Sequence, residues 1–119
     1  INAFLESVVN SLTTGAVVLD HNLNILMWNY KVEDLWGVRD DEVKGQSLMS
    51  LDIGLPLDQL PAIIRPCLSG EADRKEISLS ATNRRGKAFI CRVSCSPLMT
   101  HDKKRQGVIL LMEEERTLD

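Results

Sequence analysis

No apolar run in this sequence approaches the about 20 residues needed to cross a bilayer as a helix. The longest, Gly15 to Leu19 and Gly107 to Met112, fall far short, so membrane insertion is not expected. Basic residues are not in excess: 14 Lys and Arg stand against 17 Asp and Glu, a formal net charge of −3. A nucleic-acid partner normally leaves a basic footprint, so none is expected. Histidine is scarce, and His21 and His101 both sit in polar stretches that read as exposed turns. Neither belongs to a His-x-x-x-His or Cys-x-x-Cys spacing, which argues against a metal site. A Gly-rich phosphate loop is also missing, since Gly37 and Gly45 are isolated helix stops. With no nucleophile and base in a recognisable pattern, no catalytic residue is assigned.

Cysteine is rare and odd in number, three in all, and Cys91 and Cys95 form the only closely spaced pair. On one strand they would lie roughly 13 Å apart, too far for a disulfide or a shared metal. A reducing, cytoplasmic compartment is the natural reading. The sequence opens at Ile1 without Met, inside an amphipathic pattern, and is expected to be a piece of a longer protein.

What is present suffices for one core: 119 residues, 44% of them hydrophobic. Phe4, Leu5, Val8, Val9 and Leu12 form a helical stripe, which predicts an amphipathic helix over residues 1–14. That stripe must cover the chain's own sheet or a second copy, and self-association through it is the favoured expectation.

Residues 16–20 and 24–28 read as strands around a turn at Asp20-His21-Asn22-Leu23. Neither alternates cleanly, as suits strands covered on both faces. Asn29 caps a short helix carrying Val32, Leu35 and Trp36, with Glu33 exposed and Gly37 as its stop. Asp40-Asp41-Glu42 starts another turn of helix ended by Gly45, and Ser47 a third through Leu51. A helix over about 58–69 follows, with Pro61 near its first turn and Pro66 inside it.

The last third alternates. Ile77, Leu79 and Ala81, then Phe89, Cys91, Val93 and Cys95, then Val108 to Met112 predict three consecutive strands joined by hairpins. Glu113 to Arg116 reads as an exit segment. Arg84-Arg85 and Lys103-Lys104-Arg105 fall at opposite ends of the middle strand and read as solvated turns rather than one groove. The whole is an α+β pattern: five strands, with short helices gathered on one side.

The run Asp20, Ile25, Asn29, Glu33, Gly37, Glu42 and Gly45 resembles the N-terminal signature of PAS domains, and the similarity extends to about Glu114. Leu23-Asn24 stands where many members have a Gly. Leu35-Trp36-Gly37-Val38-Arg39, Leu51-Asp52-Ile53-Gly54-Leu55-Pro56 and Ala81-Thr82-Asn83-Arg84-Arg85-Gly86 resemble the PAS segment attached to bacterial chemotaxis-type protein-glutamate methyltransferases, often fused to the methylesterase. The S-adenosylmethionine-binding sequence of such a parent is not within these residues, so the resemblance implies no enzyme activity for this stretch.

The resemblance implies a PAS domain over 15–115, an exit segment over 116–119, and an antiparallel sheet in the order 2-1-5-4-3. It also implies a pocket between sheet and helices, and a homodimer through the N-terminal helix. Haem is disfavoured because residues 56–69 contain no His. Flavin is disfavoured because Gly45-Gln46-Ser47-Leu48 lacks the cysteine of the light-sensing members. The cofactor therefore stays unknown: a small organic ligand or an empty pocket. Leu60, Ile64, Cys67 and Leu68 with Phe89, Cys91, Val93 and Cys95 are the candidate lining, and plain core packing is the alternative for all of them. A regulatory sensor or protein-interaction module communicating with adjacent domains is the function implied. A ligand-free dimerisation domain and the PAS domain of a sensor histidine kinase are the alternatives.

Overall fold

The structure, a computed structural model, describes residues 14–51, 53–99 and 104–117. The stripe from Phe4 to Leu12 lies outside them, as do His101 and Lys103.

β1 (Gly15–Asp20) and β2 (Ile25–Trp28) pair antiparallel. Ala16 to Leu19 are all fully buried, because β1 has β2 on one side and β5 on the other and is covered on both faces. Asp20 closes the turn between them: its Oδ1 accepts from the N–H groups of Asn22 (2.8 Å) and Asn24 (2.9 Å). Leu23, where many PAS sequences place Gly, adopts φ 64°. The left-handed conformation costs a branched residue about 1–2 kcal/mol. It is offset by packing of the Leu23 side chain on the core and by Leu48 N–H donating to Leu23 O at 2.8 Å. A bulge follows, with Val18 opposite Met27 but Leu19 opposite Ile25. The bulge lets Ile25 and Trp28, three residues apart, enter the same core, which an unbroken period of two forbids.

Short helices fill the next forty residues: α1 (Tyr30–Trp36), α2 (Asp40–Val43), two 3-10 turns (Leu48–Ser50 and Leu57–Gln59) and α3 (Pro61–Ser69). The single helix expected over 58–69 is thus divided. Pro61 has no N–H for the Leu57 carbonyl, which instead accepts from Leu60 N–H at 3.0 Å, closing a tighter turn. Pro61 then sits at the first position of α3, where its missing donor costs nothing.

β3 (Lys75–Thr82), β4 (Ala88–Met99) and β5 (Arg105–Thr117) form the expected meander, and the sheet runs β2-β1-β5-β4-β3, antiparallel throughout. One expectation needs correction: Glu113 to Arg116 belong to β5 and pair with β4 as far as Ile90. Their charge is accommodated because Glu113 to Arg116 are exposed at this end of the strand. Arg92 lies 2.6 Å from Glu113 and Lys87 2.6 Å from Glu114.

The helices pack on one face of the sheet. Val17, Leu19, Leu79, Phe89, Cys91, Val93, Leu110 and Met112 meet Trp36, Leu48, Leu60, Ile64 and Cys67 in a single buried cluster. On the opposite face Ala16, Val18 and Met27 are buried, with Leu26, Leu98, Ile109 and Leu111 packed against them. Among the described residues no helix is long and apolar enough to cross a membrane.

Candidate functional site

The residues expected to line an interior site converge. Leu60, Ile64 and Cys67 of the α3 region, and Phe89, Cys91, Val93 and Cys95 of β4, are all fully buried in the main cluster. Leu68, at the end of the same helix, is half-buried against it. Alternation puts the four β4 residues on one face, and spacings of three and four put Leu60, Ile64 and Cys67 on one side of α3. Trp36 caps this space: its ring lies 5.3 Å from that of Phe89 at 43°, and its Nε1–H donates to Met112 Sδ at 3.4 Å. The second indole N–H is also satisfied, Trp28 Nε1–H donating to Val38 O at 2.8 Å.

Cysteine supplies the polar atoms of this interior. Cys67 Sγ–H donates to Cys95 O at 3.4 Å, so α3 and β4 meet through two residues 28 positions apart. Sequence spacing drew attention to Cys91 and Cys95, whereas the fold brings together Cys67 and Cys95. Burial pushes the Cys91 thiol up to about 12. Burial, and then the neighbouring Cys67, push the Cys95 thiol up as well. Protonated thiols are poor nucleophiles and poor metal ligands. These buried thiols therefore suit apolar packing rather than covalent chemistry.

The signature residues hold the frame around that interior. Asn29 is 1% exposed, and its Oδ1 accepts from Val32 N–H and from Ala16 N–H, both at 3.0 Å. Its Nδ2–H donates to Thr14 O at 3.1 Å, so one side chain caps α1 and clamps it to the start of β1. Glu33, read as an exposed helix residue, is half-buried; its Oε2 accepts from Asp40 N–H at 2.6 Å and so caps the next helix. Gly37 ends α1 in the left-handed region at φ 77°, its N–H donating to Glu33 O at 2.8 Å. Glu42 Oε2 accepts from Arg39 N–H at 2.7 Å, and Gly45 N–H donates to Ile25 O at 2.8 Å. Asp20 sits in its turn, and His21 beside it is exposed.

Two further structural residues, Asn83 and Arg105, act through distant partners. Asn83 is 7% exposed; its Nδ2–H donates to Leu35 O at 2.9 Å and its Oδ1 accepts from Arg85 and Lys87 N–H groups. The β3–β4 hairpin is thereby docked on the end of α1, with Arg84 facing Glu42 (3.8 Å) and Arg85 facing Asp34 (3.5 Å). Arg105, expected in a solvated turn, is instead only 18% exposed. It donates to Cys67 O (2.7 Å) and Ala72 O (3.0 Å) and pairs with Asp73 (2.8 Å). An asparagine before two arginines does suggest a turn, but nothing local reveals a partner 48 residues away.

Among the described residues, two surface clefts accompany the interior. One, of about 190 Å³, is lined by Thr14, Gly15, Lys31, Asp34, Leu35, Met112, Glu113 and Glu114. A wider one, of about 340 Å³, is lined by Ile53, Gly54, Thr82, Asn83 and Arg84. Neither is lined by the candidate residues of α3 and β4. Among the described residues no group of three or more His, Cys, Asp or Glu is placed to hold a metal ion.

Comparison with known proteins follows the same line. A family model described as the PAS fold matches residues 3–114. A PAS domain of a Colwellia psychrerythraea protein superposes with a TM-score of 0.74 at 15% identity, covering 92% of each chain. VqmA from Vibrio cholera, in a complex with ligand and DNA, superposes at 0.75 and 15% identity; this chain is covered to 96% but spans only 51% of VqmA. A PAS domain from a two-component sensor histidine kinase superposes at 0.67 and 12% identity, covering 94% of each chain. At such identities these structures establish the fold alone. No curated relative matches the chain. With most of its length matched by the family model, and with the β2-β1-β5-β4-β3 sheet backing a helix-covered interior, the chain belongs to the PAS fold family of sensory and regulatory domains.

Proposed function

We propose that this domain is the sensor of a cytoplasmic bacterial signal-transduction protein, a chemotaxis-type protein-glutamate methyltransferase. It takes up a small, largely apolar organic molecule between α3 and β4 and alters the adjacent domains in response. The observation that carries the reading is the convergence of Leu60, Ile64, Cys67 and Leu68 on Phe89, Cys91, Val93 and Cys95 in one apolar interior. Membership of a sensory family, and a similar fold in a VqmA complex that contains a ligand, support it. Haem and flavin fit poorly, since residues 56–69 contain no histidine and residues 45–48 no cysteine. The homodimer would form through Phe4, Leu5, Val8, Val9 and Leu12, and the methyltransferase chemistry would belong to another domain.

The full burial of every lining residue but Leu68 favours a second reading, a ligand-free dimerisation domain whose interior is core. The likeness to a histidine-kinase PAS domain supports a kinase as an alternative parent. Native mass spectrometry of the purified chain separates the first two. A retained small molecule, lost on Cys95→Trp or Ile64→Trp, is expected for a sensor. A dimer of bare polypeptide that binds nothing from a metabolite extract would discard ligand sensing.

A further inference from the structure

The two edges of the sheet are finished differently. On β2 the outward groups of Ile25 are occupied: its N–H donates to Gln46 O and its carbonyl accepts from Gly45 N–H, both at 2.8 Å. On β3, among the described residues, cover is confined to the far end, where Thr82 N–H donates to Gly54 O at 3.0 Å. That bond fixes the direction of the rest. Backbone groups of alternate strand residues point to the same side, so those of Glu76, Ser78 and Ser80 point outward with Thr82. Asn83 N–H turns inward to Lys87 O at 3.0 Å, as the alternation requires.

Among the described residues no bulge or proline blunts this edge, and Glu76 is the one charge in its outward-facing stretch. β3 pairs with β4 from Lys75 to Thr82 without a register shift, and the strand contains no proline. Glu76, Ser78 and Ser80 are exposed, and the one lysine stands at the strand's first position. Sheet edges are usually protected by bulges, prolines or charges in mid-strand, and Ile77-Ser78-Leu79-Ser80 has none of them.

We propose that this edge pairs antiparallel with the same edge of a second copy of the chain, on a two-fold axis at Ser78. Ser78 then faces Ser78, Glu76 faces Ser80, and Ile77 faces Leu79. Gly54 occupies the flank of Thr82 and confines pairing to residues 76–80. Within that window this register alone engages all three outward-facing residues of both copies, giving about six inter-chain backbone bonds. It opposes no like charges, and it sets the Glu76 carboxylate across from a hydroxyl. The strand is thus complementary to itself, and its copy is the occupant that fits. This is a different contact from the one proposed above for the N-terminal stripe.

Cross-linking and light scattering on the 119-residue chain test the register. Ser78→Cys sets two thiols across the axis, and oxidised glutathione is expected to link them into a dimer. Ser80→Cys, which faces Glu76 of the other copy, is expected to stay unlinked. Ser78→Pro removes an outward donor without breaking the β4 ladder; it should leave the circular dichroism unchanged and weaken self-association about tenfold or more. Linking of Ser78→Cys no faster than of Ser80→Cys overturns the proposal even if the proline variant fails to fold. So does a wild-type chain that stays at 13.3 kDa at millimolar concentration. A dimer insensitive to Ser78→Pro but abolished by Leu12→Asp would overturn it too, and would assign association to the N-terminal stripe.

Discussion

Asn29 and Ala16 are bonded to each other twice: Asn29 N–H donates to Ala16 O at 3.1 Å, and Ala16 N–H donates to Asn29 Oδ1 at 3.0 Å. Since the same Oδ1 caps α1 through Val32 N–H, strand entry and helix start depend on one buried atom. Asn29→Ala deletes a cap and strands a buried amide, and should lower stability by about 2–4 kcal/mol. Urea unfolding checks this, and a loss below about 0.5 kcal/mol would refute the clamp.

Cys91 gives the chain a pH dependence on the alkaline side. Its thiol titrates at about 12 when folded against 9.0 ordinarily, so the unfolded chain loses the proton first. The stabilising difference is fully present below pH 9 and is lost as pH rises toward 12, at roughly 1.4 kcal/mol per pH unit. Cys95, raised in the same direction, adds to it. Unfolding free energies between pH 8 and 11 should fall less steeply in Cys91→Val than in the wild type.

Gly54 crosses β3 so closely, at φ 89°, that a Cβ would overlap the Thr82 carbonyl oxygen. Gly54→Ala should therefore cost about 3 kcal/mol or more and shift the Thr82 amide resonance. An alanine variant with unchanged melting temperature would show that this crossing is not maintained.

Arg105 and Asp73 separate backbone anchoring from surface charge. Arg105→Ala frees the Cys67 and Ala72 carbonyls and should destabilise by about 1–3 kcal/mol. Asp73 is 92% exposed, and Asp73→Ala should change stability by less than about 0.5 kcal/mol. Equal losses in the two variants would contradict this division.

The meander was readable because Ile77, Leu79 and Ala81 alternate with Ser78, Ser80 and Thr82, and Cys91, Val93 and Cys95 with Arg92, Ser94 and Ser96, and a wet sheet face enforces that period. The capping role of Asn29 and the stop at Gly37 were readable too, since both act within a few residues. The contacts that shape the interior were not. The approach of Cys67 to Cys95, the docking of Asn83 on Leu35 and the anchoring of α3 by Arg105 join residues 28 to 48 apart, and no local pattern encodes them. Glu113 to Arg116 misled for the opposite reason: their charge suggested an exit, while the partners that admit them to a strand, Lys87 and Arg92, lie elsewhere.

The strand order also has a temporal side. β5 fills the gap between β1 and β4, yet it is the last of the five to leave the ribosome. Until residues 105–117 emerge, no strand pairing joins the β1–β2 pair to the β3–β4 pair, and each exposes an unpaired edge to chaperones and proteases. Nascent chains stalled before Arg105 should consequently be digested far faster than the full chain, and protection should appear in one step once the closing strand is free of the exit tunnel.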